Sequence, residues 1–137
     1  MRIMAIDYGD AHTGVAVSDA LGMIAGYTTV INAYREEAVI DELQGIINAY
    51  QVGELVLGYP KNMDGSCGPR AEKAERFKKA LEEATGLPVT LWDERRSTVE
   101  AHDILLGAGK NAKKRKKIVD AVAASLILEG YLQFRRK

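Results

Sequence analysis

Two apolar rhythms divide this chain. Ile3, Met4, Ala5 and Ile6 form an almost unbroken run that ends at Asp7, which predicts a buried strand over residues 2 to 7. Residues 13 to 19 alternate, with Thr13, Val15 and Val17 on one face and Gly14, Ala16 and Ser18 on the other. The small second face predicts close packing against a helix. Residues 23 to 31, rich in Ile, Thr and Val, predict a third strand. The short links between these three suggest an antiparallel meander. The period then lengthens. Val39, Ile40, Leu43, Ile46, Ile47 and Tyr50 recur three and four residues apart, the spacing of an amphipathic helix.

ELVLGYP, residues 54 to 60, predicts a short buried strand ending at Pro60. A loop follows, with Asp64-Gly65 and Pro69 as breakers. Arg70 to Ala84 predicts a charged helix with Ala74, Phe77 and Leu81 inward, stopped by Gly86. Residues 88 to 92, PVTLW, are the last strand, and Ser97 with Glu100 has capping-box spacing for a helix through Leu106. Residues 107 to 117 read as a mobile basic loop, and Ile118 to Phe134 as a closing apolar helix. The order is βββαβαβαα. The fourth and fifth strands each follow a helix, so crossover connections make them parallel to the first. The expectation is an α/β sandwich, a mixed five-stranded sheet flanked by helices, in one domain spanning 1 to 137.

Composition narrows the class. The chain has 137 residues, 47% hydrophobic and 28% charged, ordinary values for a globular protein. Asp7 and Asp10 fall where a signal peptide needs its apolar segment. The longest apolar stretch, Ala121 to Leu132, is interrupted by Glu129, so no membrane span is expected. The single cysteine, Cys67, has no partner for an internal disulfide and no motif around it, which suits a cytoplasmic location. Net charge is zero, but it is segregated. Residues 107 to 137 hold nine lysines and arginines against two acids, Asp120 and Glu129. That end should attract phosphate; the plainer reading is a solvated charge run.

A carboxylate ending a buried strand costs several kcal/mol unless it is paired, so Asp7 needs an explanation. Glu94 follows the last strand, and Asp120 opens the predicted final helix. Functional crevices of open α/β sheets lie at the carboxyl ends of the parallel strands, where Asp7 and Glu94 both belong. With strand four between strands one and five, their Cα atoms stand about 10 Å apart, two spacings of roughly 4.8 Å. Asp120 shares a helix face with Ala123, Ala124 and Ile127, an apolar and partly small face suited to the sheet. Three carboxylates converging there would suit Mg²⁺ or Mn²⁺. Each acid also has an ordinary role. Asp120 could complement a helix dipole, Glu94 could pair with Arg95 or Arg96, and Asp7 could sit in an Asx-turn before Gly9. His12 and His102 are isolated and read as surface or turn residues.

IDYGDAHTGVAVSD, LVLGYPKNMDGSCGPRAEKAERF, WDERRSTVEA and KKIVDAVAASLILEGYL together resemble the YqgF (RuvX) family, whose members are RNase H-like proteins described as Holliday junction resolvases and as nucleases maturing the 5′ end of pre-16S ribosomal RNA. The resemblance covers nearly the whole chain, in order. It implies an RNase H-like fold with strand order 3-2-1-4-5, and it matches Asp7, Glu94 and Asp120 to the family's acidic triad. It also matches Lys61 and Asn62 to the loop after strand four, and Arg95 and Thr98 to the segment around the glutamate. The chain departs from the family at Ala11-His12, where Lys-Arg is common, and at Arg96-Ser97, where Leu-Thr is common.

The expected activity is metal-dependent hydrolysis of phosphodiester bonds in nucleic acid during ribosome biogenesis. Two ions about 3.5–4 Å apart would activate water and stabilise the leaving oxygen, with Lys61 neutralising a phosphate oxygen. Lys113, Lys114, Arg115, Lys116 and Lys117 would hold backbone phosphates of pre-16S rRNA, within a ribosomal subunit precursor, or of branched DNA. Resolvase action would require a homodimer; a monomer suffices for a single cut. Two rivals remain: a non-catalytic assembly factor binding rRNA or protein, and a nucleotide phosphotransferase of the actin and sugar-kinase superfamily, whose first phosphate loop Asp7 to Gly14 also resembles.

Overall fold

The computed structural model describes residues 1–9, 11–21, 25–59, 68–93 and 112–136, with the side chains of 112–121 and 136 outside that description. The strands are β1 (Arg2–Asp7), β2 (His12–Ser18), β3 (Ala25–Asn32), β4 (Val52–Tyr59) and β5 (Val89–Asp93). The helices are α1 (Glu36–Tyr50), α2 (Pro69–Thr85) and α3 (Ala112–Arg136). The sheet order is β3-β2-β1-β4-β5. β1 pairs antiparallel with β2, and β2 with β3. β4 runs parallel to both β1 and β5. Each pairing follows from the connections: short links reverse the chain, and helical crossovers do not.

Residue parity decides what each face meets. Met4, Ile6, Val15, Val17, Leu55, Leu57 and Val89 turn toward α1 and α2, where they bury Val39, Leu43, Phe77 and Leu81. Ile3, Ala5, Ala16 and Val56 turn the other way, onto Ala124, Ile127, Leu128 and Leu132 of α3. The small face of β2 therefore does receive a helix. Gly14 and Ala16 are buried on that side, and Ser18 hydrogen-bonds there, its hydroxyl accepting from the Ile3 N–H at 2.9 Å.

Local signals set the helix ends. Pro69 stands in the first turn of α2, where its missing N–H removes no helical bond. Gly86 closes α2 with φ of 70°, its N–H donating to the Glu82 carbonyl at 2.9 Å. That left-handed backbone favours glycine. The basic segment is the main difference from expectation. Residues 107–111 lie outside the described residues, but Lys113 to Lys117 belong to α3, not to a mobile loop. Lysine, arginine and alanine are good helix formers, and no glycine or proline falls between Ala112 and Lys117. Asp120 is consequently in the third turn of α3, too far from its start for a dipole role. The expected helix from Ser97 to Leu106 lies outside the described residues. Among those described, no helix is long and apolar enough to cross a membrane.

The far end of α3 is clamped. The Tyr131 hydroxyl donates to Glu54 Oε2, and Arg135 Nη1 reaches Glu54 Oε1 at 2.8 Å. Trp92 packs edge-on against Tyr131 and Phe134, with centroids 5.8 Å apart in each case. Burial, and next the bond to Glu54, push the Tyr131 phenol above its ordinary 10.0. A raised folded-state pKa means that the contribution is full below pH 10 and is lost as pH climbs through the folded value. Tyr131→Phe should lower stability at neutral pH by about 0.5–1.5 kcal/mol and show a shallower decline above pH 10. Urea unfolding across pH 8 to 12 checks both.

Candidate active site

Asp7 is the last residue of β1 and is half-buried. Ile3 and Ala5 face α3, so the period of two turns Asp7 to the same side. Its direct partner on β2 is Gly14. On the other flank Ile6 pairs with Leu57, which brings Gly58 alongside Asp7. Gly58 in turn pairs with Trp92 of β5. The carboxylate thus stands between two glycines at the carboxyl end of the parallel strands, with no side chain on either neighbour to fill the space above them. Gly58 has ordinary strand backbone, since Gly86 is the glycine with positive φ among the described residues. Its use is the missing side chain.

The turn after Asp7 is held on both sides. Tyr8 stacks on Phe77 with ring centroids 3.8 Å apart and planes 6° from parallel, and Lys73 Nζ lies 5.2 Å from the Tyr8 centroid. A Cβ on Gly9 would lie 2.3 Å from the His12 carbonyl oxygen, so only glycine lets the chain reverse that tightly. These contacts fix where β1 ends and hence where Asp7 stands.

Position 120 of α3 lies one turn before Ala124, which is fully buried against Ala5 and Ala16. The sheet face carrying Asp7 is therefore the face that α3 covers, on the stripe that position 120 extends. Glu94 directly follows Asp93, the last residue of β5. Glu94, Lys61, Asn62, Arg95 and Thr98 lie outside the described residues, as do Cys67 and His102. Lys113, Lys114, Arg115, Lys116 and Lys117 share the backbone of α3 with Asp120. Among the described residues no three histidine, cysteine, aspartate or glutamate side chains cluster as a metal site; Glu94 and the Asp120 side chain lie outside those residues. Asp7 supplies a hard oxygen donor, chemistry that suits Mg²⁺ or Mn²⁺.

His12, expected as an isolated surface or turn residue, is partly exposed but is neither isolated nor in a turn. It is the first residue of β2, on the face of Gly14 and Ala16, and its Nδ1 lies 2.7 Å from Asn32 Oδ1 across the β2–β3 ladder. The alternation that places Gly14 toward a helix carries the same information two residues earlier. Gly58, too, is readable as the glycine interrupting an apolar strand.

A carboxylate at the end of the central strand, in a 3-2-1-4-5 sheet with α3 across its face, defines the RNase H-like class. Within that class, the family model for RuvX, described as Holliday junction resolvase, matches residues 1–134, and the chain belongs to that family. A curated relative from Halothermothrix orenii, named "Putative pre-16S rRNA nuclease", is 50% identical over 137 residues, covering 100% of this chain and 98% of its own. The chain is similar in fold to Thermus thermophilus RuvC in complex with a Holliday junction substrate, at TM-score 0.65 and 14% identity over 99% of this chain and 96% of that one. It is likewise similar to the Fowlpox virus resolvase bound to Holliday junction DNA, at TM-score 0.66 and 13% identity with both chains fully covered.

The two glycines beside Asp7 generate a prediction. Gly58→Ala should keep the fold, because its backbone suits alanine. The added methyl should nonetheless cost nuclease activity on the order of 10²-fold, the scale of a small misplacement at a reacting centre. Thermal unfolding and single-turnover cleavage, run on the same preparation, check the two halves.

Proposed function

We propose that this chain is a divalent-metal-dependent endonuclease that hydrolyses phosphodiester bonds in nucleic acid, processing the 5′ end of pre-16S rRNA. The observation that carries the reading is Asp7: a carboxylate at the end of the central strand, flanked by Gly14 and Gly58, on the sheet face that α3 covers. The name of the Halothermothrix orenii relative supports the substrate. The family description, and the junction complexes of proteins with the same fold, favour branched DNA as a second reading.

Asp7, Glu94 and Asp120 are the residues that would hold Mg²⁺ or Mn²⁺. Trp92 lies on the α3 face, and one more residue pair along β5 would present Glu94 on that face too. Such ions supply a nucleophile at neutral pH and neutralise charge at the leaving oxygen. The chain's own groups do the rest. The carboxylates orient and do not attack. Lys61 neutralises a non-bridging phosphate oxygen as charge builds, while Asn62, Arg95 and Thr98 contact the strand beside it. Lys113, Lys114, Arg115, Lys116 and Lys117, presented by a helix and not a loop, hold backbone phosphates near Asp120.

The deciding experiment incubates purified protein with precursor small-subunit RNA and with a four-way DNA junction, each with Mg²⁺ or Mn²⁺. Asp7→Asn should abolish cleavage of the preferred substrate while circular dichroism and unfolding stay as in the wild type. Cleavage at the wild-type rate would defeat the reading. Neutralising Lys113 to Lys117 should weaken binding and flatten the plot of log affinity against log salt, by about 0.7 to 0.9 for each phosphate no longer neutralised. An unchanged slope would place the strand elsewhere.

A further inference from the structure

We infer that the free edge of β3, with the cleft between it and α1, docks an extended basic segment of a partner protein, which adds to the sheet as a further strand. The cleft opens on the α1 side of the sheet, opposite the face that carries Asp7. The inference does not rest on the nuclease reading.

β3 ends the sheet on one side. One bond sets its pairing: the Ala33 N–H donates to the Ala11 carbonyl at 3.1 Å. Bonded and non-bonded pairs alternate along an antiparallel ladder, so Ile31, Thr29 and Tyr27 bond to Thr13, Val15 and Val17. Thr28, Val30 and Asn32 therefore turn their N–H and C=O groups outward. Among the described residues no other segment bonds to these groups. Sheets ordinarily blunt such an edge with lysine, proline or a bulge. Ala25–Asn32 carries no charge and no proline. Its register shift falls at Gly26 and leaves residues 27 to 32 regular.

The space beside this edge suits a strand. Thr29 and Ile31 line one side of a cleft of about 400 Å³, and Glu42, Gly45, Ile46 and Ala49 of α1 line the other. From Glu42 to Tyr50 the helix runs about 12 Å, the length of roughly four strand residues. Gly45 stands exposed in the middle of α1. A Cβ there would meet nothing within 4 Å, and its φ is not positive. Glycine inside a helix is less stable than alanine, and among the described residues nothing requires it. A strand added one spacing of about 4.8 Å beyond β3 would run along this cleft, where the missing side chain makes room for it.

Charge selects the occupant. α1 holds Glu36, Glu37, Asp41 and Glu42 and no lysine or arginine. Glu37 lies 3.7 Å from Arg35. Asp41 and Glu42, one turn before Gly45 and Ile46, make no ion pair among the described residues. At the other end Tyr27 stacks on Tyr50 with centroids 4.9 Å apart, and the Arg2 guanidinium already lies 5.9 Å from the Tyr50 centroid. Carboxylates and aromatic faces both favour a cation. A second copy of this chain fits less well, because two-fold pairing through β3 would set α1 against α1, acids against acids.

The test uses the full chain and two labelled octapeptides, one alternating lysine and valine, the other glutamate and valine. Fluorescence anisotropy reads binding, and amide hydrogen exchange reads its place. The lysine peptide should bind about tenfold or more tightly than the glutamate peptide, and should slow exchange at Thr28, Val30 and Asn32. Asp41→Lys combined with Glu42→Lys should reverse the preference. Gly45→Leu should weaken binding of the lysine peptide about tenfold without lowering the unfolding midpoint. Thr28→Pro, which removes one outward N–H and spares the ladder to β2, should weaken it similarly. Equal binding of the two peptides, or unchanged exchange at those three amides with the lysine peptide bound, overturns the inference. Protection of the same amides in the protein alone, with dimers in sedimentation, overturns it in favour of a second copy.

Discussion

The site depends on how closely α3 can lie on the sheet. A helix over a sheet normally stands off by the bulk of the side chains between them. Here the sheet presents Gly14 and Ala16, and α3 presents Ala123 and Ala124, all of them buried. Small residues on both surfaces bring the backbones together. Position 120, one turn before Ala124, then lies along the helix stripe over the sheet face that carries Asp7, although more than a hundred residues separate the two in sequence. Larger side chains at these positions would bury more apolar area but lift the helix. The packing is chosen for distance, and the apolar burial is left to Ile127, Leu128 and Leu132 further along α3.

The mixed sheet supplies the other half of the arrangement. β1 has an antiparallel neighbour on one side and a parallel one on the other. A tight turn therefore follows β1, while the helical crossovers α1 and α2 leave from β3 and β4 at the same edge. The tight turn fixes Asp7 from one side through Tyr8 and Gly9. The parallel side delivers Gly58 and then Trp92 in register. A wholly parallel sheet would have placed a helix where β2 now brings Gly14 and His12.

Much of this is legible in the sequence because two periods carry it. Alternation along β2 tells which face meets a helix, and the three-and-four spacing tells which helix faces are apolar. The strand order is not legible from pattern alone, because pairing depends on contacts distant in sequence; it comes with the family resemblance. The basic segment misleads because charge density resembles a solvated loop, whereas lysine and arginine propensity, with an apolar stripe downstream, favours helix. The strand position of His12 and its partner are not legible because a single polar residue has no period. Its meaning comes from Asn32, twenty residues away, and only the β2–β3 register joins them.

The basic start of α3 follows from the same division of labour. Cations in the first turns oppose the helix dipole by about 0.3–1 kcal/mol each at a surface, and five in a row repel one another. The interactions that hold the helix among the described residues lie at its other end. Glu54 is the fixed point there: Tyr131 and Arg135 both bond to its carboxylate, and Trp92 seals the contact against Gly130 and Phe134. Stability is concentrated where no chemistry is proposed, and electrostatic strain where a polyanion would relieve it. A helix built in that way becomes more stable when phosphates reach its first turns.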